Sequence, residues 1–441
     1  MTKEELKRRC LAAIDENKER IIAIGDDIFS HPELGFKEER TSALVRDTLD
    51  SLHIPHQDRL ALTGVKGVLS GGEPGPRVMV MGELDAVVCP LHPQADPNTG
   101  AAHSCGHNSQ IASMLGAAMG LAPLARELGG DVVFAAVPAE EYVELEYRQR
   151  LRQEGKIHFI GGKQEFIRQG VLDDVDMGMM IHSHAGVGDR HFLMECDSSG
   201  FIGKLIRFTG KEAHAGARPF DGINALNAAC LSLLAINSQR ETFREKDRIR
   251  IHPIMTKGGD LVNIVPADVR LETYVRGTNL RGILDASEKV NRCLQGCAYA
   301  IGATVDIQEL PGYLPLIQDK TISGLFARNG EALLGQGSNI YGQELMGATD
   351  AGDISSVMPF IHVSTGGYLG DAHSKDFTIC DREMAYVMPA KAMALTVIDL
   401  LYGHAAQARE IKAGFTPKLT RGSYLELWEQ FESGHIDPTV F

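Results

Sequence analysis

No basic block occurs anywhere in the 441 residues, and the formal charge of −14 is spread along the chain rather than gathered in an acidic tail. Dispersed negative charge favours solubility and argues against nucleic acid or an anionic membrane as partner. No apolar run reaches about 18 residues, so no membrane-spanning helix is expected. The first residues, "MTKEELKRRCLAAIDENKERI", interleave charge with apolar side chains at helical spacing and hold no apolar core of the signal-peptide kind. Internal repeats and low-complexity tracts are also missing. The eight cysteines are scattered, and a chain this long needs no disulfide staples, so the expected compartment is the reducing cytoplasm.

What is present is enough apolar material, 44% of residues, for two or three domains that each bury a core. Thr2 and Glu5 form a capping box for a first amphipathic helix. Three short apolar runs follow, "RVMVMGELD" (77–85), "DVVFAAVPAEE" (131–141) and "DMGMMIHSH" (176–184), and each reads as a buried strand of a βαβ arrangement. Each ends in groups able to do chemistry: Asp85, then Glu140 and Glu141, then His182 and His184. In open α/β sheets functional groups collect at the carboxyl ends of strands. From Ser198 the pattern changes to strand (200–209), helix (219–237), strand (246–255), strand (268–276), helix (279–300) and strand (303–310). That order is the split β-α-β-β-α-β unit of ferredoxin-like domains. The chain then resumes α/β character, with "MPFIHVST" as a buried strand and a long helix over 384–402. The middle domain therefore reads as inserted into the first.

Cys105 and His107 flank one glycine in "AHSCGHN", just before the small-residue helix "SQIASMLGAAMGLAPLA". A glycine there lets the backbone turn so that thiolate and imidazole converge, which suits zinc or another borderline ion; an inert buried cysteine fits the same pattern. Glu140 and Glu141 are adjacent at a strand end, where one can hold a metal while the other moves protons. The competing reading is a helix N-terminus that favours acids through its dipole. His182 is either a core histidine or a ligand. His373, in the Gly/Asp/Ser-rich loop "GDAHSKDF", is placed where a distant ligand could close a site, whereas His362 inside its strand reads as structural. Residues 142–165 read as a helix followed by a loop, either near the site or solvated.

Nine motifs in order, "HPELGF", "GELDAV", "HSCGHN", "VPAEE", "MMIH", "GKEAHAGARP", "LVNIVPADVRLETYVRG", "GATDAGDISSV" and "DAHSKDF", resemble the metal-dependent aminoacylase and carboxypeptidase family. They are most similar to its N-acyl-amino-acid amidohydrolase branch, which includes aminobenzoyl-glutamate hydrolases and aminoacylase-like dipeptidases. The resemblance covers roughly residues 10–405. It implies an α/β fold: a phosphorylase/hydrolase-like catalytic domain with a mixed, mostly parallel sheet over 1–197 and 312–441, and an inserted ferredoxin-like α+β dimerisation or lid domain over 198–311. It implies a site for two divalent ions, Zn²⁺ or Mn²⁺ with Co²⁺ or Ni²⁺ as alternatives, held by Cys105, His107, Glu141, His182 and His373. Asp85 matches the carboxylate that orients a ligand, and Glu140 matches the general base. His214 matches the histidine that reaches the partner subunit's site and supports the oxyanion, making a homodimer or higher homo-oligomer necessary. Asn263 and Arg276 match positions that hold the substrate carboxylate, although Asn263 also fits simple turn chemistry.

The sequence departs from the family at "ELD", where an Asp-Met-Asp type sequence is usual, and at "CGHN" in place of "CGHD". Glu83 and Asn108 leave the five ligands intact and bear on metal preference. The resulting expectation is a two-metal amidohydrolase that cleaves an N-acyl or N-aroyl amino acid or a dipeptide-like amide. A cysteine hydrolase with His107 as base places its two groups poorly for proton transfer. A catalytically silent metal-binding homologue with a regulatory role is the remaining alternative.

Overall fold

The computed structural model describes residues 1–185, 190–342 and 347–433. The chain forms two compact units. The first is built from segments within Met1–Cys196, Ile317–Glu344 and Asp353–Arg421. Its sheet runs His56–Leu60, Gly64–Leu69, Asp131–Val137, Arg77–Glu83, Met177–Ala185, Phe360–Leu369, Phe192–Leu193 and Asn339–Ile340, with Thr378–Ile379 pairing on Phe360–Leu369. The four central strands, Asp131–Val137 to Phe360–Leu369, are mutually parallel, and antiparallel pairs lie outside them. These central strands are nearly continuous in Val, Met, Ala and Ile because helices cover them, and parallel sheets tolerate little exposure.

Helix His107–Leu121 is buried along its whole length. Its alanines and glycines let it lie close against Lys3–Glu16, Lys18–Ser30, Met388–Gly414 and the strand Arg77–Glu83. Thr2 caps the first helix, accepting the Glu5 backbone N–H at 3.2 Å. The last long helix differs from the sequence expectation of 384–402. A π turn, Glu383–Val387, leads into Met388–Gly414, and the backbone leaves helical geometry at Tyr402–Ala405, where Gly403, His404 and Ala405 take positive φ. By length and composition Glu383–Gly414 could cross a membrane, but 94% of its most apolar window is buried inside the protein. It is a core helix.

The second unit contains Asp197–Leu316. Its antiparallel sheet is ordered Arg250–Ile251, Asp268–Gly277, Gly200–Thr209, Thr304–Leu310, with Ile254–Lys257 also on Asp268–Gly277. Val269, Leu271, Thr273 and Val275 alternate inward, and helices Ala225–Ser238 and Leu280–Ile301 share that core. Asn279 caps the longer helix by accepting the Gly282 N–H at 2.8 Å. The strand expected over 246–255 is instead a 3₁₀ turn, Glu245–Asp247, and two short strands. Between them falls His252-Pro253, and proline has no N–H to give the ladder. The helix expected from 219 begins at Ala225, after the 3₁₀ turn Pro219–Asp221.

Candidate metal centre

Three parallel strands deliver the chemistry of the first unit to one edge. Arg77–Glu83 leads to Glu83 and Asp85, Asp131–Val137 leads to Glu140 and Glu141, and His182 lies near the end of Met177–Ala185. Pro138 ends the second strand, and Ala139 then takes a left-handed φ of 54°. Glu38 holds that strained turn: its Oε1 accepts the Ala139 N–H at 2.9 Å and its Oε2 the Thr63 hydroxyl at 2.6 Å. Burial, reinforced by Asp85, pushes the Glu38 carboxyl up to about 8. Gly106, at φ 84°, separates Cys105 from His107, the first residue of its helix. The Ser183 hydroxyl donates to the Cys105 carbonyl at 2.6 Å. His373 also carries a positive φ, 61°, and its N–H donates to the Ser104 carbonyl at 2.8 Å. Left-handed geometry at non-glycine residues costs energy and collects at functional sites.

The structure brings together Cys105, His107, Glu141, His182 and His373. Cys105, His107 and His182 offer ligand atoms within 4.8 Å of one another, and so do Cys105, Glu141 and His373. The two triads share the Cys105 sulfur. Cys105 Sγ is 3.4 Å from His182 Nε2, and His373 Nε2 is 3.1 Å from Glu141 Oε1. Two ligands of one tetrahedral ion, bonded at about 2.0–2.3 Å, stand roughly 3.3–3.7 Å apart; the Cys105–His182 spacing falls in that range and the Glu141–His373 contact is slightly shorter. Outer contacts fix the rings. His107 Nδ1 lies 2.9 Å from the Asp85 carbonyl and 3.3 Å from its carboxylate, and His182 Nδ1 lies 2.9 Å from the Ser183 carbonyl. Both rings therefore turn Nε2 into the site. Asp85 also accepts the Glu141 N–H at 2.9 Å, so one carboxylate orients two of the five side chains.

His107 Nε2 is wholly buried and faces Glu83 at 3.0 Å, Glu140 at 3.9 Å and Glu141 at 4.0 Å, yet among the described residues it makes no hydrogen bond. A buried imidazole nitrogen turned toward three carboxylates and a thiol is short of positive charge. Burial and Glu141 push the Cys105 thiol well up. Burial alone would lower His107, but Glu83 and Cys105 raise it well above the ordinary range, and the hydrogen bond to Glu141 raises His373. A site that draws its groups toward the protonated state is one that favours added positive charge. Sulfur, nitrogen and oxygen donors in this proportion fit zinc and its borderline neighbours.

His214, Asn263 and Arg276 lie in the second unit. Gly216 and Ala217 N–H groups donate to His214 Nδ1 at 3.2 and 3.1 Å, which leaves the ring proton on the exposed Nε2. The Ala215 N–H donates to the Asn263 carbonyl at 2.9 Å, so those two segments are neighbours. The Arg276 guanidinium lies over Phe201 and Tyr274, at 5.1 and 5.4 Å, and its Nε donates to His252 at 3.2 Å. His252 went unread in the sequence; "IRIHPIM" offers no signal beyond a histidine in a strand.

Other partners were equally hidden. Lys163 donates to Glu83 from the end of the 142–165 stretch, which is therefore not a solvated surface there: Lys163, Gln164 and Glu165 are buried. Gln110 bonds both the side chain and the backbone of Glu83. His362 is buried, as read, and stacks on His182 at 5.3 Å.

A model of peptidase family M20/M25/M40 matches residues 79–397. The chain is 29% identical over 424 residues to an Xaa-Arg dipeptidase of Mus musculus, covering 90% of each protein. It is 29% identical over 332 residues to an N-acyl-L-amino acid amidohydrolase of Geobacillus stearothermophilus, covering 72% of this chain and 82% of that one. Its fold matches a crystal structure of a Bacillus subtilis dinuclear metal-binding peptidase with a TM-score of 0.68, at 22% identity, over 87% of this chain and 98% of that one. With a sulfur-centred donor cluster at the ends of its parallel strands and a family match across most of its length, the chain belongs to peptidase family M20/M25/M40 and is a metal-dependent amidohydrolase or peptidase.

Proposed function

We propose that the protein hydrolyses the amide bond of an N-acyl or N-aroyl amino acid, or of a dipeptide-like substrate, with two divalent ions held by Cys105, His107, Glu141, His182 and His373. The observation that carries this reading is the pair of donor triads with Cys105 in common. Zn²⁺ and Mn²⁺ are the ions favoured, and when bound they would supply Lewis acidity to the amide carbonyl and to an attacking water. Glu140 is the general base: it is buried, 3.9 Å from His107 Nε2. The strained Ala139 turn that precedes both glutamates aims Glu140 and Glu141 separately. Glu140 takes the proton of the attacking water and returns it to the departing amine nitrogen. Asp85 holds His107 and Glu141 in register for that exchange.

Arg276, its guanidinium set over the neighbouring rings of Phe201 and Tyr274, and Asn263 hold the substrate carboxylate; a planar guanidinium pairs with a carboxylate through two parallel hydrogen bonds. His214, with its proton on the outward Nε2, donates to the developing oxyanion in the site of a second subunit, which assigns the domain over 198–311 to homodimerisation. The compartment is the cytoplasm, as the reduced cysteine usage implies.

The test is Glu140→Gln assayed on metal-reconstituted protein with N-acetyl, N-benzoyl, aminobenzoyl-glutamate and dipeptide substrates. Turnover of whichever substrate the parent cleaves should fall by about 10²–10⁴-fold with bound metal unchanged. Activity of the parent should be lost on chelation and return with metal. Full activity in Glu140→Gln, or activity that survives complete metal removal, refutes the mechanism.

A further inference from the structure

Glu83 and Lys163 are both fully buried. Glu83 Oε1 accepts the Lys163 ammonium. Its Oε2 accepts Gln110 Nε2 at 2.6 Å and lies 3.0 Å from His107 Nε2. The Glu83 N–H donates to Gln110 Oε1 at 3.1 Å, so the carboxylate is tied at both its backbone and its head. The 3.0 Å approach to His107 is not a hydrogen bond, because Nε2 has no aligned partner among the described residues. Two donor atoms that are close but misaligned for a proton can share one ion instead, at a spacing a few tenths of an ångström wider than this one. A carboxylate oxygen has two lone-pair directions, and Gln110 occupies one. That leaves Oε2, 3.0 Å from His107 Nε2, one lone pair with which to bind an ion. Glu83, His107 and Glu140 also offer atoms within 4.8 Å of one another, a third donor cluster at the same edge.

We propose that Glu83 is a sixth protein ligand, bound to the ion that His107 holds, with Lys163 and Gln110 as positioning residues that orient its carboxylate. This rests on the two-metal reading above. Ligating carboxylates are themselves hydrogen-bonded by outer partners, and here those partners are a buried ammonium and a buried amide. An added oxygen donor hardens a site otherwise made of sulfur and nitrogen, which moves its preference toward ions such as Mn²⁺.

Metal binding itself is the readout. The full-length protein is stripped with chelator and titrated with Co²⁺ or Mn²⁺, following stoichiometry, affinity and the visible absorption of bound Co²⁺. Glu83→Gln should weaken one of two ions by at least about tenfold and change the Co²⁺ absorption. Glu83→Gln/Lys163→Met removes both charges and leaves none stranded, so it carries the test if the single variant does not fold, and it should show the same loss. Lys163→Met keeps the carboxylate but removes the ammonium that orients it, so it should weaken the same ion, by less than Glu83→Gln does, and leave the other ion in place. The proposal is overturned if the folded Glu83 variants bind two ions as tightly as the parent with an unchanged Co²⁺ spectrum. His107→Ala separates the two levels: both ions still bound in that variant would sink the five-ligand reading and this one with it, whereas loss of an ion there with none in the Glu83 variants would sink only the role of Glu83.

Discussion

Replacing Gly106 with alanine tests whether the short turn between Cys105 and His107 forms the metal corner proposed above. Gly106 sits at φ 84°, a left-handed geometry that costs an L-residue about 1–2 kcal/mol. A Cβ built there would lie 2.6 Å from Ser183 Cβ and 2.9 Å from its hydroxyl. That strand neighbour is itself buried and is spent on the Cys105 carbonyl, so it has little room to yield. Overpacking of this kind costs about 1–3 kcal/mol. Together the two terms predict a loss of about 2–5 kcal/mol, a large share of the roughly 5–15 kcal/mol that a folded domain has. Urea unfolding should be followed with chelator present, because bound metal would add its own stabilisation and mask the effect. Ser183→Gly removes the contacting atoms but also the hydroxyl bonded to the Cys105 carbonyl, so it serves as its own reference: against that background Gly106→Ala should cost only the dihedral part. Metal affinity of Gly106→Ala should fall as well, since relief of the contact moves Cys105 against His107. If Gly106→Ala unfolds within about 0.5 kcal/mol of the parent and binds metal normally, the turn is not what sets the two ligands apart.

Two further outcomes follow from the geometry. Glu38 holds its proton in the folded protein up to about pH 8 and releases it near 4.5 when unfolded. The folded state therefore binds more protons across that window, so stability should fall as pH rises from about 4.5 to 8 and level off above. Glu38→Gln keeps an acceptor for the Ala139 N–H and gains a donor for Thr63, so denaturation midpoints measured from pH 5 to 9 should lose this slope; equal slopes would refute the assignment. If His214 acts across a dimer, mixing inactive His214→Ala subunits with inactive Glu140→Gln subunits should restore part of the activity. Heterodimers shown by mass that remain inactive would count against it.

Much of the centre was legible because it sits where chain direction dictates. Strands that read as apolar runs ended in Asp85, Glu140, Glu141 and His182, and parallel pairing puts such ends on one edge. The second sheet was readable because alternation over 268–276 and two long amphipathic helices are local signals. What failed also failed for local reasons: Pro253 split an expected strand, and the departure from helical geometry at Tyr402–Ala405 had only Gly403 to announce it. Lys163 was illegible in another way. It pairs with Glu83 from 80 positions away in a stretch whose composition suggested solvent.

The sequence by itself determined which donors are available, since a thiol, imidazoles and carboxylates are fixed by residue type and their places at strand ends by periodicity, and the resemblance of its motifs implied a metal for them. Only the tertiary structure decided which atoms meet. It made Cys105 common to two triads, turned His107 Nε2 toward Glu83, and set Glu38 under the turn that aims Glu140 and Glu141. These are contacts between residues distant in the chain, and they depend on ring orientation and on which buried charge is left to neutralise another. No linear pattern carries that information, because the cost of burying a charge is set by its surroundings and not by its neighbours in sequence.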